Sequence, residues 1–277
     1  MNMSRVLNST LALLVAISAI FNPWTFLLLV CLLTMGGLYE FFYLIKKKDI
    51  PIYSYTGIFI GILIPLSIFF HFELTRNWEL LFIVCAFLLM LMLQFARQDN
   101  TNAIIGLSTT LFGVLYVSWF FSFIIKIRFM LPGQEGSLLV LFIMLVTKAA
   151  DVGGLFIGTA IGKHPLLPKV SPKKSVEGTL GGICLSAVVA VLARTWLPPV
   201  FQSMSVGYIF CIGLFFGSLG QLGDLSESMI KRDCNVKDSG KFLPGTGGVL
   251  DMIDSLLFSV PAFYLFMSST LHPVFKV

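Results

Sequence analysis

Unbroken apolar runs of 18 residues or more recur along the chain and constrain its fold more than any other feature. As a helix, such a run crosses a hydrocarbon core about 30 Å thick. Because lipid offers no hydrogen-bond partners, each spanning segment must pair its backbone groups internally. Only 12% of the residues are charged, about half the share in soluble domains. We therefore predict an all-α, polytopic transmembrane protein, since the short alternating segments of a β-barrel are missing from the sequence.

Windows of about 19 residues predict about nine transmembrane helices. We place them near 8–22, 24–45, 52–70, 78–96, 103–125, 137–160, 178–197, 205–229 and 247–269. Only Asn22 and Pro23 divide the first two, so eight or ten spans remain possible. The N-terminal segment lacks a small-residue cleavage site, so we interpret it as a span rather than a signal peptide. We treat 1–277 as one membrane domain, with N-terminal spans in 1–140 and the site-bearing spans and loops in 141–277.

The basic residues fall mainly on one side of this predicted topology. Thirteen of them share that side: Arg5, Lys46, Lys47, Lys48, Arg97, Lys163, Lys169, Lys173, Lys174, Lys231, Arg232, Lys237 and Lys241. The opposite side has five: Arg76, Lys126, Arg128, Arg194 and Lys276. This positive-inside bias predicts a cytoplasmic N-terminus, cytoplasmic basic loops and an outside C-terminus. Topology thus explains the net charge of +5, and we expect no nucleic-acid partner.

Five carboxylates lie within predicted spans or at their cytoplasmic ends, where a charge costs about 2.5 kcal/mol or more. They are Asp151, Asp224, Glu227, Asp251 and Asp254. Steps of three or four residues place Ser228, Lys231 and Arg232 on the same helical stripe as Asp224 and Glu227. Asp251 and Asp254 are three residues apart and share one face of the last helix. Glu40 has two readings, as a helix-end residue reaching the headgroups or as a functional group. The five cysteines have no metal-ligand or redox spacing.

This composition favours phosphate chemistry. Hard carboxylate oxygens without Cys or His clusters favour Mg²⁺, which commonly bridges to substrate phosphates. Lysine and arginine suit phosphate oxygens, and the basic loop "SPKKS" supplies Lys173 and Lys174. The glycines of "PGTGG" precede the last helix, whose first N–H groups could hold an anion. Asp151 is a candidate partner for a lysine, whereas His164 is interpreted as a solvated loop residue.

The stretch "SMIKRDCNVKDSGKFLPGTGGVLDMIDS" resembles the C-terminal motif of phosphatidate cytidylyltransferases, also called CDP-diacylglycerol synthases. The positions that fit are Ser228, Lys231, Arg232, Lys237, Asp238, Gly240, Pro244, Gly247, Gly248, Asp251 and Asp254. Thr246 and Met252 depart from it, since the family usually has His and Arg there. "ADVGGLFIGTAIGK" and "SPKKSVEGTLGG" are similar to the family's middle segments. The resemblance covers about 145–270 by motif and the whole chain by span pattern.

The resemblance implies that CTP and phosphatidate in the bilayer give CDP-diacylglycerol and pyrophosphate, with Mg²⁺ and in some members a second cation. It implies a homodimer in a bacterial-type inner or cell membrane, with the site facing the cytoplasm. By position, Asp224 and Asp251 are the expected metal ligands, with Asp254 and Glu227 as further ligands. Lys173, Lys174, Lys231, Arg232 and Lys237 are expected to hold phosphate oxygens. Asp238 is an expected catalytic position, and the expected substrate contacts include Ser228, Gly247 and Gly248.

Two alternatives remain open from the sequence. A cytidylyltransferase or kinase acting on another membrane phospho-lipid would need a similar pocket. A cation-coupled transporter would explain the intramembrane carboxylates, although not the lysines crowding the same face. CDP-alcohol phosphotransferases carry an Asp-x-x-x-Asp element, and this chain has only Asp-x-x-Asp, which counts against them.

Overall fold

The computed structural model describes residues 18–71, 78–97, 100–240 and 247–271. Eight principal helices make up most of this part of the chain. They are α1 (Pro23–Lys46), α2 (Ser54–Phe69), α3 (Trp78–Phe95), α4 (Ala103–Arg128), α5 (Glu135–Ile161), α6 (Val176–Ala193), α7 (Val206–Asp233) and α8 (Val249–Leu271). Helix α4 is π-helical over Val114–Trp119 and α-helical on either side.

The all-α, polytopic membrane fold is confirmed. Seven of the described helices are long and apolar enough to cross a membrane, and α2 is an apolar helix of 16 residues. The span predicted near 8–22 lies mostly outside the described residues, so the count of nine stays a prediction. The other predicted spans match the observed helices within about four residues at each end.

A small β-hairpin contains the only two β-strands among the described residues. Strands β1 (Pro165–Leu167) and β2 (Ser171–Ser175) pair antiparallel between α5 and α6. This segment is polar and proline-containing, so it cannot continue a spanning helix. A 3-10 turn, Arg194–Trp196, follows α6, and a single helical turn, Pro199–Gln202, precedes α7.

Polar side chains mark the start of three helices. Asn22 accepts hydrogen bonds from the backbone N–H groups of Trp24 (3.0 Å) and Thr25 (3.4 Å) at the start of α1. The hydroxyl oxygens of Ser175 and Ser205 do the same for α6 and α7, at 3.1 and 3.2 Å. These caps satisfy N–H groups that have no partner within the helix, and they set where each span begins.

Helices α5, α6, α7 and α8 form the bundle that carries the polar residues. Small residues let their backbones approach closely, as is usual between membrane helices. A Cβ on Gly182 of α6 would collide with the carbonyl oxygen of Ala150 on α5. A Cβ on Gly213 of α7 would lie 2.5 Å from the Cα of Ala187 on α6. The close packing fixes which faces of α5 and α7 meet.

Helices α1 and α4 pack on the other side of α8 through large aromatic residues, and α2 packs against α1 and α4. Phe41, Phe42 and Phe121 are fully buried in this half of the core. Helix α3 lies at the periphery, where most of its side chains face outward. Polar contacts hold both of its ends: Gln94 accepts a hydrogen bond from the Tyr53 hydroxyl, and Glu79 pairs with Lys126.

Candidate active site

Three carboxylates meet where α7 lies against α8. One oxygen each from Asp224, Glu227 and Asp254 lies within 4.8 Å of the other two. The first two are one turn apart on α7, and a Cβ on Gly223 would collide with the carbonyl oxygen of Asp254. The helices can therefore approach closely enough for the carboxylates to converge. We call Asp224, Glu227 and Asp254 the carboxylate cluster.

Two of the three carboxylates are shielded from solvent, and Asp224 is partly exposed. Glu227 is completely buried and Asp254 is 6% exposed. The Oε1 atom of Glu227 has no hydrogen-bond partner among the described residues. Buried anions are costly unless a cation or several donors compensate for them. These three oxygen donors therefore fit a hard divalent cation such as Mg²⁺.

Lys231 lies beside the cluster and joins the two helices. Its Nζ atom pairs with Glu227 one turn earlier on α7 and with Oδ1 of Asp251 on α8, at 2.5 Å. The side chain of Lys231 is buried. The residue that we expected to hold phosphate thus pairs with two carboxylates in this structure. It partly compensates the negative charge of the site.

Asp251 lies outside the carboxylate cluster, although the family pattern paired it with Asp224. Besides Lys231, its carboxylate accepts hydrogen bonds from the Gly248 backbone N–H (2.6 Å) and the Ser239 hydroxyl (3.0 Å). These contacts hold Ser239 and Gly248 against the first turn of α8. The geometry gives Asp251 a structural task in addition to any metal contact.

Glu40 was the ambiguous carboxylate of the sequence, and the structure shows that it is buried within the bundle rather than at the headgroups. Its Oε2 atom accepts hydrogen bonds from the Ser239 hydroxyl and from the Leu250 backbone N–H, both at 2.9 Å. Together with Asp251, it occupies N–H groups at the start of α8 that we expected to be free for a substrate anion. An acidic residue inside the apolar run of α1 was the only signal for this role.

Gly247 and Gly248 make this tight arrangement possible. Gly247 has a φ of +84°, and a Cβ there would lie 2.5 Å from Oδ2 of Asp251. A Cβ on Gly248 would collide with the Ser239 hydroxyl and the Glu40 carboxylate. Thr246, one of the two departures from the family pattern, lies outside the described residues. The other departure, Met252, is partly buried against the apolar core.

A second charged group lies next to the cluster on α5. Nζ of Lys148 is 3.3 Å from Oδ2 of Asp151 and donates a hydrogen bond to the Ser255 hydroxyl at 2.8 Å. Asp151 thus pairs with a lysine, as its sequence position suggested. Sequence analysis gave no role to Lys148, because a single cation within an apolar run carries no spacing signal.

A cavity of about 260 Å³ with charged residues in its walls opens beside the cluster between α5, α6, α7 and β2. Its walls include Asp151, Asp224, Gln221, Lys173 and Lys174. Nζ of Lys174 is 2.6 Å from Oδ2 of Asp224 and 3.2 Å from Oε1 of Gln221. The basic hairpin therefore forms one wall of the carboxylate site, and its phosphate contacts stay a prediction.

Arg232 fastens this hairpin to α7 instead of facing the cluster. Its guanidinium donates hydrogen bonds to the carbonyl oxygens of Val170 (3.0 Å) and Val236 (3.1 Å), and the side chain is exposed. Of the other motif residues, Ser228 lies 3.4 Å from Oδ1 of Asp224 through its hydroxyl. Lys237 and Asp238 are exposed in the segment after α7.

A model described as the cytidylyltransferase family matches residues 3–270. The chain belongs to the cytidylyltransferase family. It is similar to the phosphatidate cytidylyltransferase of Bacillus subtilis (strain 168), 31% identical over 275 residues that cover 95% of this chain and 97% of that protein.

Two further relatives match the chain over different lengths. The phosphatidate cytidylyltransferase of Synechocystis sp. (strain PCC 6803) is 30% identical over 290 residues, with 95% of each chain covered. An uncharacterized protein of Escherichia coli (strain K12), YnbB, is 38% identical over 165 residues. That alignment covers 58% of this chain and 51% of YnbB.

Proposed function

We propose that this chain is a phosphatidate cytidylyltransferase, which makes CDP-diacylglycerol and pyrophosphate from CTP and phosphatidate. A phosphate oxygen of the lipid would form a bond to the α-phosphorus of CTP, while the bond from that phosphorus to the bridging α,β-oxygen breaks. The observation that carries the proposal is the carboxylate cluster, which lies beside a lysine-lined cavity in a membrane-spanning bundle. Family membership and the two named phosphatidate cytidylyltransferases support the same reaction.

The donors at the site match this chemistry. Little general-base work is needed, because the lipid phosphate is already an anion near neutral pH. The main barriers are charge repulsion and alignment. A divalent cation held by Asp224, Glu227 and Asp254 would neutralise charge on the phosphates. Lys173 and Lys174, which line the cavity, would bind phosphate oxygens on that side.

The setting of the site also suits the two substrates. CTP is soluble, whereas the acyl chains of phosphatidate remain in the bilayer, so the reaction needs a site at the membrane boundary. The positive-inside bias supports a site on the cytoplasmic face. We further propose that two copies associate, with the outward-facing surface of α3 available for contact with lipid or a second subunit.

The test uses purified full-length protein in mixed micelles containing phosphatidate, CTP and Mg²⁺. We expect equal amounts of CDP-lipid and pyrophosphate, and loss of both products when EDTA is added. A polyprenyl phosphate and an archaeal-type ether-lipid phosphate replace phosphatidate in parallel reactions. A marked preference for either substitute, or product formation without a divalent cation, would contradict the proposal.

Variants of single carboxylates test the cluster. We expect Asp224→Asn and Asp254→Asn to reduce turnover at least about 100-fold, since loss of even an outer partner of a metal site often costs 10–100-fold. Asp251→Asn should also abolish Mg²⁺-dependent product formation while the protein stays in the membrane. Asp49→Asn is the matched control, because Asp49 is exposed and asparagine also tolerates its positive φ.

A further inference from the structure

Lys148 is a cation within an apolar span, and neither the sequence motifs nor the proposed function includes it. It is the central residue of α5 and the only lysine or arginine in that helix. A charged side chain inside a membrane span is costly, so it usually faces a partner, a cavity or a substrate. The contacts and the exposure of Lys148 show which of these apply.

Hydrogen bonds connect the Lys148 ammonium to the carboxylate cluster. Nζ of Lys148 donates to the Ser255 hydroxyl at 2.8 Å, and the Ser255 backbone N–H donates to Oδ1 of Asp254 at 2.5 Å. Helices α5, α7 and α8 meet at this level. A Cβ on Gly220 of α7 would lie 3.4 Å from the Cβ of Thr147 and 3.7 Å from the Cβ of Ser255. The ammonium therefore lies directly beside the residue that α8 contributes to the cluster.

The same ammonium lies next to the lysine-lined cavity without being part of its wall. Its Nζ atom is 3.3 Å from Oδ2 of Asp151, and Asp151 and Asp224 both line that cavity. Lys148 is not among the described residues that line it. A ligand that contacts Lys148 would therefore approach the cluster from outside the cavity.

The Lys148 ammonium has the capacity to bind a further group. An ammonium carries three donors, and within the described part of the chain its contacts with Asp151 and Ser255 involve two of them. The Lys148 side chain is 40% exposed, whereas those of Lys174 and Lys231, which also pair with carboxylates of the site, are 22% and 10% exposed. Of these three lysines, Lys148 is the most accessible to a ligand.

Exposed apolar side chains surround Lys148 on the outward face of α5. Steps of three or four residues place them on one stripe with the lysine. We call them the α5 stripe: Leu145, Val152, Leu155 and Phe156. Leu155 also lines the cavity, so the stripe reaches the cavity wall. An exposed apolar surface with one cation is complementary to a ligand with acyl chains and an anionic headgroup, and it does not suit a soluble nucleotide.

We propose that Lys148 binds the lipid substrate, donating a hydrogen bond to a phosphate oxygen of phosphatidate whose acyl chains lie against the α5 stripe. The inference rests on the proposed function. The nucleotide would occupy the cavity that Lys173 and Lys174 line, and the lipid phosphate would meet the carboxylate cluster from the Lys148 side. Charge complementarity selects this lipid, because a neutral lipid offers the ammonium no anion.

The kinetic test compares Lys148→Met with wild-type protein in mixed micelles. We expect the apparent KM for phosphatidate to rise about tenfold, equivalent to about 1.4 kcal/mol of lost binding. The KM for CTP should stay within about twofold, since Lys148 lies outside the cavity. Lys148→Arg keeps the cation and should restore most of the affinity for phosphatidate. Lys46→Met is the matched control, because Lys46 is exposed at the end of α1.

A second background separates a substrate contact from charge balance. Lys148→Met leaves the Asp151 carboxylate without its cation, so the same substitution is also made in Asp151→Asn. Asp151→Asn alone should not raise the KM for phosphatidate, and adding Lys148→Met should raise it about tenfold. The double variant removes both charges of the pair, so it keeps the comparison available if Lys148→Met alone folds poorly.

A binding measurement without catalysis identifies the phosphate as the group that is bound. Phosphatidate added without CTP should raise the melting temperature of wild-type protein more than that of Lys148→Met. Diacylglycerol with the same acyl chains has no phosphate, so it should shift both melting temperatures equally.

Each other outcome overturns the inference. An unchanged KM for phosphatidate in Lys148→Met would show that the ammonium makes no contact with the lipid, and a change confined to the KM for CTP would assign it to the nucleotide. A normal KM for phosphatidate in the double variant would show that Lys148 only balances Asp151. A changed oligomeric state in light scattering, with both KM values unchanged, would make the α5 stripe a subunit interface. Failure of the proposed function is a different result, because wild-type protein would then form no CDP-lipid from phosphatidate.

Discussion

Replacing Glu40 by alanine tests how the structure holds the start of α8. The Glu40 carboxylate accepts hydrogen bonds from the Ser239 hydroxyl and the Leu250 backbone N–H, and all three groups are buried. These bonds connect α1 to the segment that carries Gly248 and Asp251. Their loss should therefore lower the stability of the bundle and also loosen the geometry of the site.

The size of the effect follows from the two bonds. A hydrogen bond to a charged group contributes about 1.5–3 kcal/mol, and an unsatisfied buried donor costs about 1–3 kcal/mol. The Ser239 hydroxyl keeps Asp251 as a second acceptor at 3.0 Å, so most of the loss falls on the Leu250 N–H. We expect Glu40→Ala to destabilise the protein by about 3 kcal/mol. At about 2–4 °C per kcal/mol, the melting temperature should fall by about 6–12 °C.

The assay is thermal unfolding of purified protein in detergent, with CDP-lipid formation measured on the same samples. Glu40→Gln keeps an acceptor oxygen but no charge, so its melting temperature should fall by only about 2–4 °C. Asp49→Asn, which changes an exposed carboxylate, should melt like wild type. If Glu40→Ala melted within 1 °C of wild type and kept its turnover, the inferred connection between α1 and α8 would be wrong.

Three further variants test contacts that position the site or the bundle. Gly248→Ala should reduce turnover at least about tenfold, because its Cβ would collide with Ser239 and Glu40; normal turnover would contradict this packing. Arg232→Gln should release the hairpin, so trypsin should cleave the hairpin faster and the KM for CTP should rise. An unchanged cleavage rate would show that Arg232 does not anchor the hairpin. Arg128→Met removes a buried cation at the C-terminal end of α4 that donates hydrogen bonds to the backbone carbonyl oxygens of Ile20 and Gly133. Its melting temperature should fall by about 4–8 °C while the folded fraction keeps normal KM values, and an unchanged melting temperature would show that these bonds contribute little.

The candidate site was only partly predictable. The sequence indicated Asp224, Glu227 and Asp254 because carboxylates are rare in apolar runs and the helical period places neighbours on one face. It did not indicate how α7 and α8 are rotated against each other. That rotation groups Asp254 with the two α7 carboxylates and directs Asp251 to Lys231, Gly248 and Ser239.

Residues far apart in the sequence were the hardest to assign. Glu40 and Lys148 come from α1 and α5, and neither belongs to a short motif. Each is recognisable only from the groups that it meets in space. Arg232 shows the converse, since its motif suggested a phosphate contact and the structure shows it bound to the hairpin backbone.

The sequence by itself determined the membrane-spanning helices, because the length of an apolar run and its caps are local properties of the chain. It also determined which carboxylates share a helical face. Tertiary structure decided which of those faces meet, through close approaches at small residues such as Gly182 and Gly223. Interhelical distance and rotation depend on side chains from several helices at once, so no single segment of the sequence encodes them.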